Sequence, residues 1–316
     1  MKLFSIIVMA ILVSLASALH ASDAAKIIAL DATMWVERRL ALMRKESELV
    51  DQHQIVFVER ESSLPDPEVI ILLHGFTAEK NNWYRFTRSI PAEFRVLAID
   101  WPAHGESSFI VDADYSISAQ ADRLRLLMES LAIENAHLVG NSMGGAIAAN
   151  FASRFPSRVS TLTLMNSGGA DNPQTESEIE ISLKKDQNPL LAKSSDSFAR
   201  VLDLSMERPP FIPWPISEAM GIISAERYAQ YSYVFDQVHD GVTNVDYDYL
   251  RNITAPTLII WGGEDRILDV GNAHVFAKFI SNSRVVIYEG VGHMPMLEEP
   301  VTSASDVAEF IMSATF

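Results

Sequence analysis

The sequence predicts an α/β fold, a mostly parallel central sheet flanked by helices, and three observations predict it. Short apolar runs rich in Val, Ile and Leu alternate with helix-like stretches from about residue 50 to the C-terminus. The runs are apolar throughout, as strands buried on both faces of a parallel sheet are. One of them, Leu138-Val139, leads straight into Gly140-Asn141-Ser142-Met143-Gly144 and then into the helix-like Gly145-Ala146-Ile147-Ala148-Ala149. That is a strand–turn–helix passage built around a serine.

The size supports the fold class. A chain of 316 residues, 48% hydrophobic and 21% charged, is globular in composition and can bury a large core without cross-links. Its net charge of -16 makes the surface acidic and argues against nucleic acid as a partner, since phosphate would be repelled. The absence of cysteine excludes disulfides, thiolate metal sites, a cysteine nucleophile and a lipid carried on an N-terminal cysteine.

The first element is apolar. Lys2 precedes Leu3 to Leu19, seventeen residues interrupted only by Ser5, Ser14 and Ser17, which just reaches membrane-spanning length. Ala16-Ser17-Ala18 is also a site a signal peptidase can cut, so an uncleaved anchor and a cleaved signal peptide both stand, and either exports the rest of the chain. Lys2 ahead of the run favours a cytoplasmic N-terminus, which gives a single-pass inner-membrane protein with its main domain in the periplasm. The alternative is a periplasmic or secreted soluble protein. No Gly or Pro occurs before Pro65, and Lys26, Thr33, Glu37, Arg44 and Glu48 form a polar stripe at steps of seven and four. The pattern predicts a helix over Lys26–Glu48 with wide apolar sides. Such a helix can lie on a membrane, pair with a copy of itself as a homodimer, or pack on the domain's own surface. The expected layout is therefore residues 1–25 as transmembrane or signal segment, 26–50 as a juxtamembrane helix, and a core from 51–170 and 248–316.

The remaining residues, 171–247, interrupt the alternation. They hold no strand-like run but polar helix-like segments and the cluster Arg208-Pro209-Pro210-Phe211-Ile212-Pro213-Trp214-Pro215. An insertion of this size after the sixth strand-like unit fits a helical cap over the sheet's carboxyl edge, where open α/β folds bind ligands.

The chemistry follows from the serine. A nucleophile on a sharp strand-to-helix turn needs small neighbours, and a helix N-terminus behind it favours developing negative charge. A serine hydroxyl becomes nucleophilic only when a base takes its proton. His293, in Gly290-Val291-Gly292-His293-Met294-Pro295 after the last strand-like run, is the candidate base. The acid that orients it belongs in the loop after the preceding strand, Trp261-Gly262-Gly263-Glu264-Asp265-Arg266, where Asp265 is the better placed and Glu264 the alternative. Two N–H donors must face the oxyanion: Met143, next after the nucleophile, and Phe76 in His74-Gly75-Phe76. The turn-rich Asp100–Ser107 loop is read as structural, with His104 a minor candidate for lining the site.

Taken together, His74-Gly75-Phe76, the Asp100–Ser107 loop, Gly140–Gly145, Gly262–Asp265 and Gly292-His293 resemble the α/β-hydrolase superfamily from about residue 50 onward. Within it, Asn188-Pro189-Leu190-Leu191 and Arg208–Pro213 resemble Gram-negative bacterial lipases and membrane-anchored phospholipases A or lysophospholipases. The resemblance implies hydrolysis of lipid or fatty-acyl esters through a Ser142–His293–Asp265 acyl-enzyme mechanism, with no metal or organic cofactor. The cap is expected to form an apolar channel for the acyl chain through Leu190, Leu191, Phe211, Ile212 and Trp214. Gly140–Gly145 is similar, too, to hydrolases that cleave carbon–carbon bonds in ring-fission products; that reading and a secreted small-ester esterase are the alternatives.

Overall fold

A computed structural model describes residues 22–314, apart from 173, 176, 186 and 244–246 and the side chains of 240–243. The apolar run Leu3–Leu19 expected to span or be cleaved lies outside these residues. Among the described residues no helix is long and apolar enough to cross a membrane.

Eight strands form one sheet in the order β1-β2-β4-β3-β5-β6-β7-β8. They are β1 (Arg44–Val50), β2 (His53–Arg60), β3 (Val69–Leu73), β4 (Arg95–Ile99), β5 (Ala136–Asn141), β6 (Val159–Met165), β7 (Thr257–Gly262) and β8 (Ser283–Tyr288). All pairings from β4 to β8 are parallel, and β1 and β2 join antiparallel. Side-chain alternation explains why the runs are continuously apolar. Ile71, Leu73, Leu97, Ile99, Leu138 and Leu164 feed one core, while Ile70, Leu72, Val96, Ala98 and Val139 feed a second on the opposite face. Helices α2 (Ile117–Ser130) and α3 (Met143–Arg154) cover the first face and α9 (Pro300–Ala314) the second.

The N-terminal region departs from expectation. Helix α1 runs only from Asp23 to Leu40, and the chain then turns at Leu42 (φ 59) into β1. The predicted helix over Lys26–Glu48, and so the helical 26–50 segment, is corrected from Ala41 onward. β1 is a sheet edge whose residues are mostly exposed, so its polar composition mimics a helix face. It pairs with β2 from Arg44↔Glu59 to Val50↔His53 across Asp51 (φ 47) and Gln52 (φ 67). Two positive φ values in a two-residue loop suit the twist of a tight hairpin, made here without glycine. Helix α1 packs on the domain's own surface: Ala29 and Leu30 bury against Ile216 and Ala219, and Lys26 Nζ meets Glu218 at 2.8 Å. Ile28 and Trp35 are 66% and 56% exposed.

Between β6 and β7 lie α4 (Glu178–Leu183), α5 (Ser195–Ser205), α6 (Ile216–Glu226) and α7 (Tyr228–Thr243). Ser177 and Ser194 start α4 and α5 through capping boxes with Glu180 and Ser197. Helix α8 (Asn272–Phe279) then links β7 to β8.

Candidate active site

β5 ends at Asn141, α3 begins at Met143, and Ser142 alone makes the turn, at φ 55 and ψ -121. A β-carbon at Gly140 would lie 2.4 Å from the Gly144 carbonyl oxygen, and one at Gly144 would lie 2.2 Å from the Leu73 carbonyl oxygen. The flanking glycines are therefore demanded by the close approach of α3 to β3 and β5. The Ser142 backbone is fixed: its N–H donates to Met165 O at 3.1 Å, and its carbonyl accepts from Gly145, Ala146 and Gly168. A serine at a helix start ordinarily caps it. Ser142 makes no such side-chain bond, so its hydroxyl is not engaged by its own helix.

His293 Nδ1 lies 2.8 Å from Asp265 Oδ2. It is Asp265, and not its neighbour Glu264, that reaches the ring. Asp265 accepts four hydrogen bonds: Ile267 and Leu268 N–H to Oδ1 at 2.8 and 3.1 Å, and Asn166 Nδ2 and His293 to Oδ2 at 2.7 and 2.8 Å. Four donors leave the carboxylate no rotational freedom. The bond at Nδ1 leaves Nε2 as the ring nitrogen for other work. Asn141, beside the serine, donates to the His293 carbonyl at 3.0 Å and ties the turn to the histidine loop. Sequence reasoning missed Asn141 and Asn166. Asn141 stands in the variable place of a G-x-S-x-G string, and Asn166 (φ 43) is an unremarked residue just past β6.

The loop after β3 abuts the serine, since a β-carbon on Gly75 would come within 2.9 Å of Ser142 Cβ. Neither the Phe76 nor the Met143 N–H donates to a loop, turn or side-chain acceptor among the described residues. His74 holds this loop down: Nδ1–H donates to Gly75 O at 2.7 Å and Nε2 accepts from Trp101 N at 3.1 Å. Burial lowers His74 to about 3, so it stays neutral. Burial likewise lowers His104 to about 3. The Asp100–Ser107 loop is built around Asp100, which accepts from the Lys80 ammonium at 2.6 Å and from the Lys80 and Glu106 N–H groups at 2.7 and 2.8 Å.

The expected acyl-channel residues divide. Leu190 and Leu191 are half-buried in the turn after Asn188. Phe211 is 86% exposed, Ile212 packs into the Leu30–Ile216 cluster, and Trp214 Nε1 donates to Glu218 at 2.8 Å. These three face solvent and α1 in place of a channel, because the proline-rich segment runs along the outside of α6 toward α1. The aromatic wall beside Phe76 is made by other residues. Its ring meets His104, Tyr231 and Phe235 at centroid distances of 5.8, 5.9 and 5.5 Å. Tyr231 and Phe235 stand one turn apart on α7, a spacing that reads from sequence as ordinary core. Among the described residues no group of three His, Cys, Asp or Glu side chains is placed to hold a metal ion.

A parallel sheet, a serine on a strained turn between strand and helix, and a histidine bonded to an aspartate after β7 define an α/β serine-hydrolase arrangement. The alpha/beta hydrolase fold family matches over residues 68–202 and 211–300, and the chain belongs to that family. It is 28% identical to Lipase 1 of Psychrobacter immobilis over 267 residues, covering 84% of this chain and 83% of that one. It is 30% identical to mouse (Mus musculus) monoacylglycerol lipase ABHD6 over 253 residues, covering 77% and 75%. A crystal structure of a membrane phospholipase A superposes with a TM-score of 0.88 at 32% identity, covering 100% of this chain and 99% of that one.

Proposed function

We propose that this chain hydrolyses lipid esters by an acyl-enzyme mechanism, with Ser142 as nucleophile, His293 as general base and Asp265 as the acid that orients it. The observation that carries the reading is the 2.8 Å bond from His293 to a fully committed Asp265, joined through Asn141 to a serine held at φ 55. His293 Nε2 takes the hydroxyl proton as Ser142 Oγ adds to the ester carbonyl. The Phe76 and Met143 N–H groups receive the oxyanion, and the imidazolium passes its proton to the departing alcohol. Water then repeats the sequence on the acyl-enzyme and releases the fatty acid. Asp265 stabilises the imidazolium each time it forms.

Lipid specificity is supported by the relatives named lipases and a phospholipase A, and by the aromatic wall of Phe76, Tyr231 and Phe235 under α7. In this reading 171–247 is a cap whose helix α7 closes over the acyl chain. Each buried CH₂ contributes roughly 0.8 kcal/mol, so kcat/KM on p-nitrophenyl esters rises from acetate to octanoate. A preference for acetate overturns lipid specificity while leaving the serine chemistry standing. Export is proposed from the apolar run Leu3–Leu19, with the catalytic domain beyond the membrane and the uncleaved run as its anchor. Intact mass of protein from cell membranes tests this, and a mature chain starting near residue 19 excludes the anchor.

A further inference from the structure

Glu298 ends the short helical turn Pro295–Glu298, five residues after His293. Its carboxylate binds main chain from two distant places. Oε2 accepts the N–H groups of Glu207 and Arg208 at 2.9 and 2.8 Å, from the segment leaving α5. The Gly292 N–H donates to both oxygens at 3.0 and 3.1 Å, and the Met294 N–H to Oε1 at 3.4 Å. The residues before and after His293 thus share one carboxylate with two consecutive residues of the insertion. The His293 N–H itself donates to Ser205 O at 2.9 Å. Side chains reinforce the seam: Arg208 Nε donates to Gly290 O at 2.7 Å, and Arg266 donates to Met206 O at 3.0 Å. The two segments press together so closely that a β-carbon on Gly292 would lie 2.8 Å from Glu207 N and 3.1 Å from Glu298 Oε1. From the core side, Asn141, Asn166 and the Glu264 N–H bind the histidine loop's carbonyls, at His293, Gly292 and Val291.

We infer that Glu298 is a positioning residue that acts through His293: its carboxylate clamps residues 205–208 of the insertion onto the histidine loop. His293 then faces Ser142 in working geometry only while that segment is seated, which makes the insertion part of the catalytic frame. An ionised acceptor suits this task, because hydrogen bonds to a charged group are shorter and stronger than neutral ones. Glutamine keeps the volume but offers one acceptor oxygen and an NH₂ that opposes the converging N–H donors. The inference rests on His293 being the base.

The experiment compares the full-length protein with Glu298→Gln and Glu298→Ala. Displacing a base by a fraction of an ångström to an ångström lowers kcat by about 10- to 100-fold, with KM held within about threefold. The rate at which a fluorophosphonate probe labels Ser142 falls by the same factor. In a His293→Ala background, adding Glu298→Ala costs no further labelling rate, because the residue it acts through is gone. Hydrogen exchange in peptides covering 205–208 and 290–294 speeds up together in both Glu298 variants. A folded Glu298→Ala protein with unchanged kcat overturns the inference, and so does a further loss in the His293→Ala background. Faster exchange confined to 290–294 overturns the coupling to the insertion. Should Glu298→Ala fail to fold, Glu298→Gln carries the same measurements. If His293→Ala keeps wild-type turnover, the base assignment fails, and the exchange data still read the clamp on its own.

Discussion

At the sheet's carboxyl edge two pairs of loops each bring a buried aspartate and a buried histidine close together, and the two pairs differ in what balances the carboxylate. After β4, Asp100 faces the Lys80 ammonium at 2.6 Å, and His74 Nε2 stands 4.0 Å away, already accepting from Trp101. Both His74 nitrogens are committed, and the ring is neutral. After β7, Asp265 accepts from amides and the imidazole alone, while the adjacent Arg266 turns away to Glu207. The difference teaches where charge can move. A lysine leaves Asp100 with no call on a second cation, so its histidine serves as a hydrogen-bonding strut. Asp265 has no fixed counter-charge among its hydrogen bonds, so in the proposed mechanism it is the carboxylate left to stabilise an imidazolium on His293.

Breaking the Asp265–His293 pair or the serine beside it gives the largest effects. Ser142→Ala and His293→Ala should each lower kcat on p-nitrophenyl octanoate by roughly 10⁵- to 10⁶-fold with the thermal midpoint little changed. Asp265→Asn should lower it by about 10⁴-fold, because the amide stabilises the wrong ring tautomer. If Glu264→Gln is the inactive variant and Asp265→Asn is active, the comparison is drawn on the wrong carboxylate. Changes at the first pair should be read in stability. Lys80→Met strands the Asp100 charge and should cost about 3–5 kcal/mol in urea unfolding, with kcat of the folded fraction near wild type. A kcat collapse without loss of stability would make Asp100 and His74 catalytic after all.

The pH dependence sharpens the same contrast. His74 ionises near 3 when folded and near 6.5 in an ordinary setting, so in that interval the unfolded chain binds a proton that the folded chain does not. Its contribution to stability is complete above pH 6.5 and is lost as the pH falls toward 3. His74→Gln should flatten the slope of unfolding free energy in that window by up to about 1.4 kcal/mol per pH unit. An unchanged slope means that the ring is protonated when folded. The smallest effect is expected at the cap's outer face. Phe211→Ala should move stability by less than about 0.5 kcal/mol and leave the acyl-chain preference alone, whereas Tyr231→Ala should weaken the preference for octanoate.

The sheet and the Ser142, Asp265 and His293 positions were legible because local chemistry forces local strings. A turn that tolerates no β-carbon writes glycines on both sides of its serine, and strands buried on two faces write unbroken apolar runs. β1 was not legible, since an exposed edge strand carries the polar spacing of a helix and its turns use Leu42, Asp51 and Gln52 at positive φ where glycine would have marked them. The aromatic wall was hidden for a different reason. Tyr231 and Phe235 come to Phe76 only through tertiary packing, and an i, i+4 aromatic pair on a helix carries no label of what it faces. Phe211, Ile212 and Trp214 drew attention by composition, while their direction depends on where α1 lies. Glu298 meets partners some ninety residues away along the chain, at Glu207 and Arg208.

The hairpin of β1 and β2 carries a practical consequence. The family match begins at residue 68, after both strands, so a shortened chain begun there would look complete by homology. It would leave β4 as the sheet's rim, with every second residue of 96–99 presenting the N–H and C=O groups that now bond β2. A flat apolar rim of that kind recruits other chains by strand addition. Mostly polar β1 is what solvent meets in the intact protein. The hairpin is thus a guard against self-association, and trimming it would produce aggregates that are easily mistaken for a failure of the catalytic domain to fold.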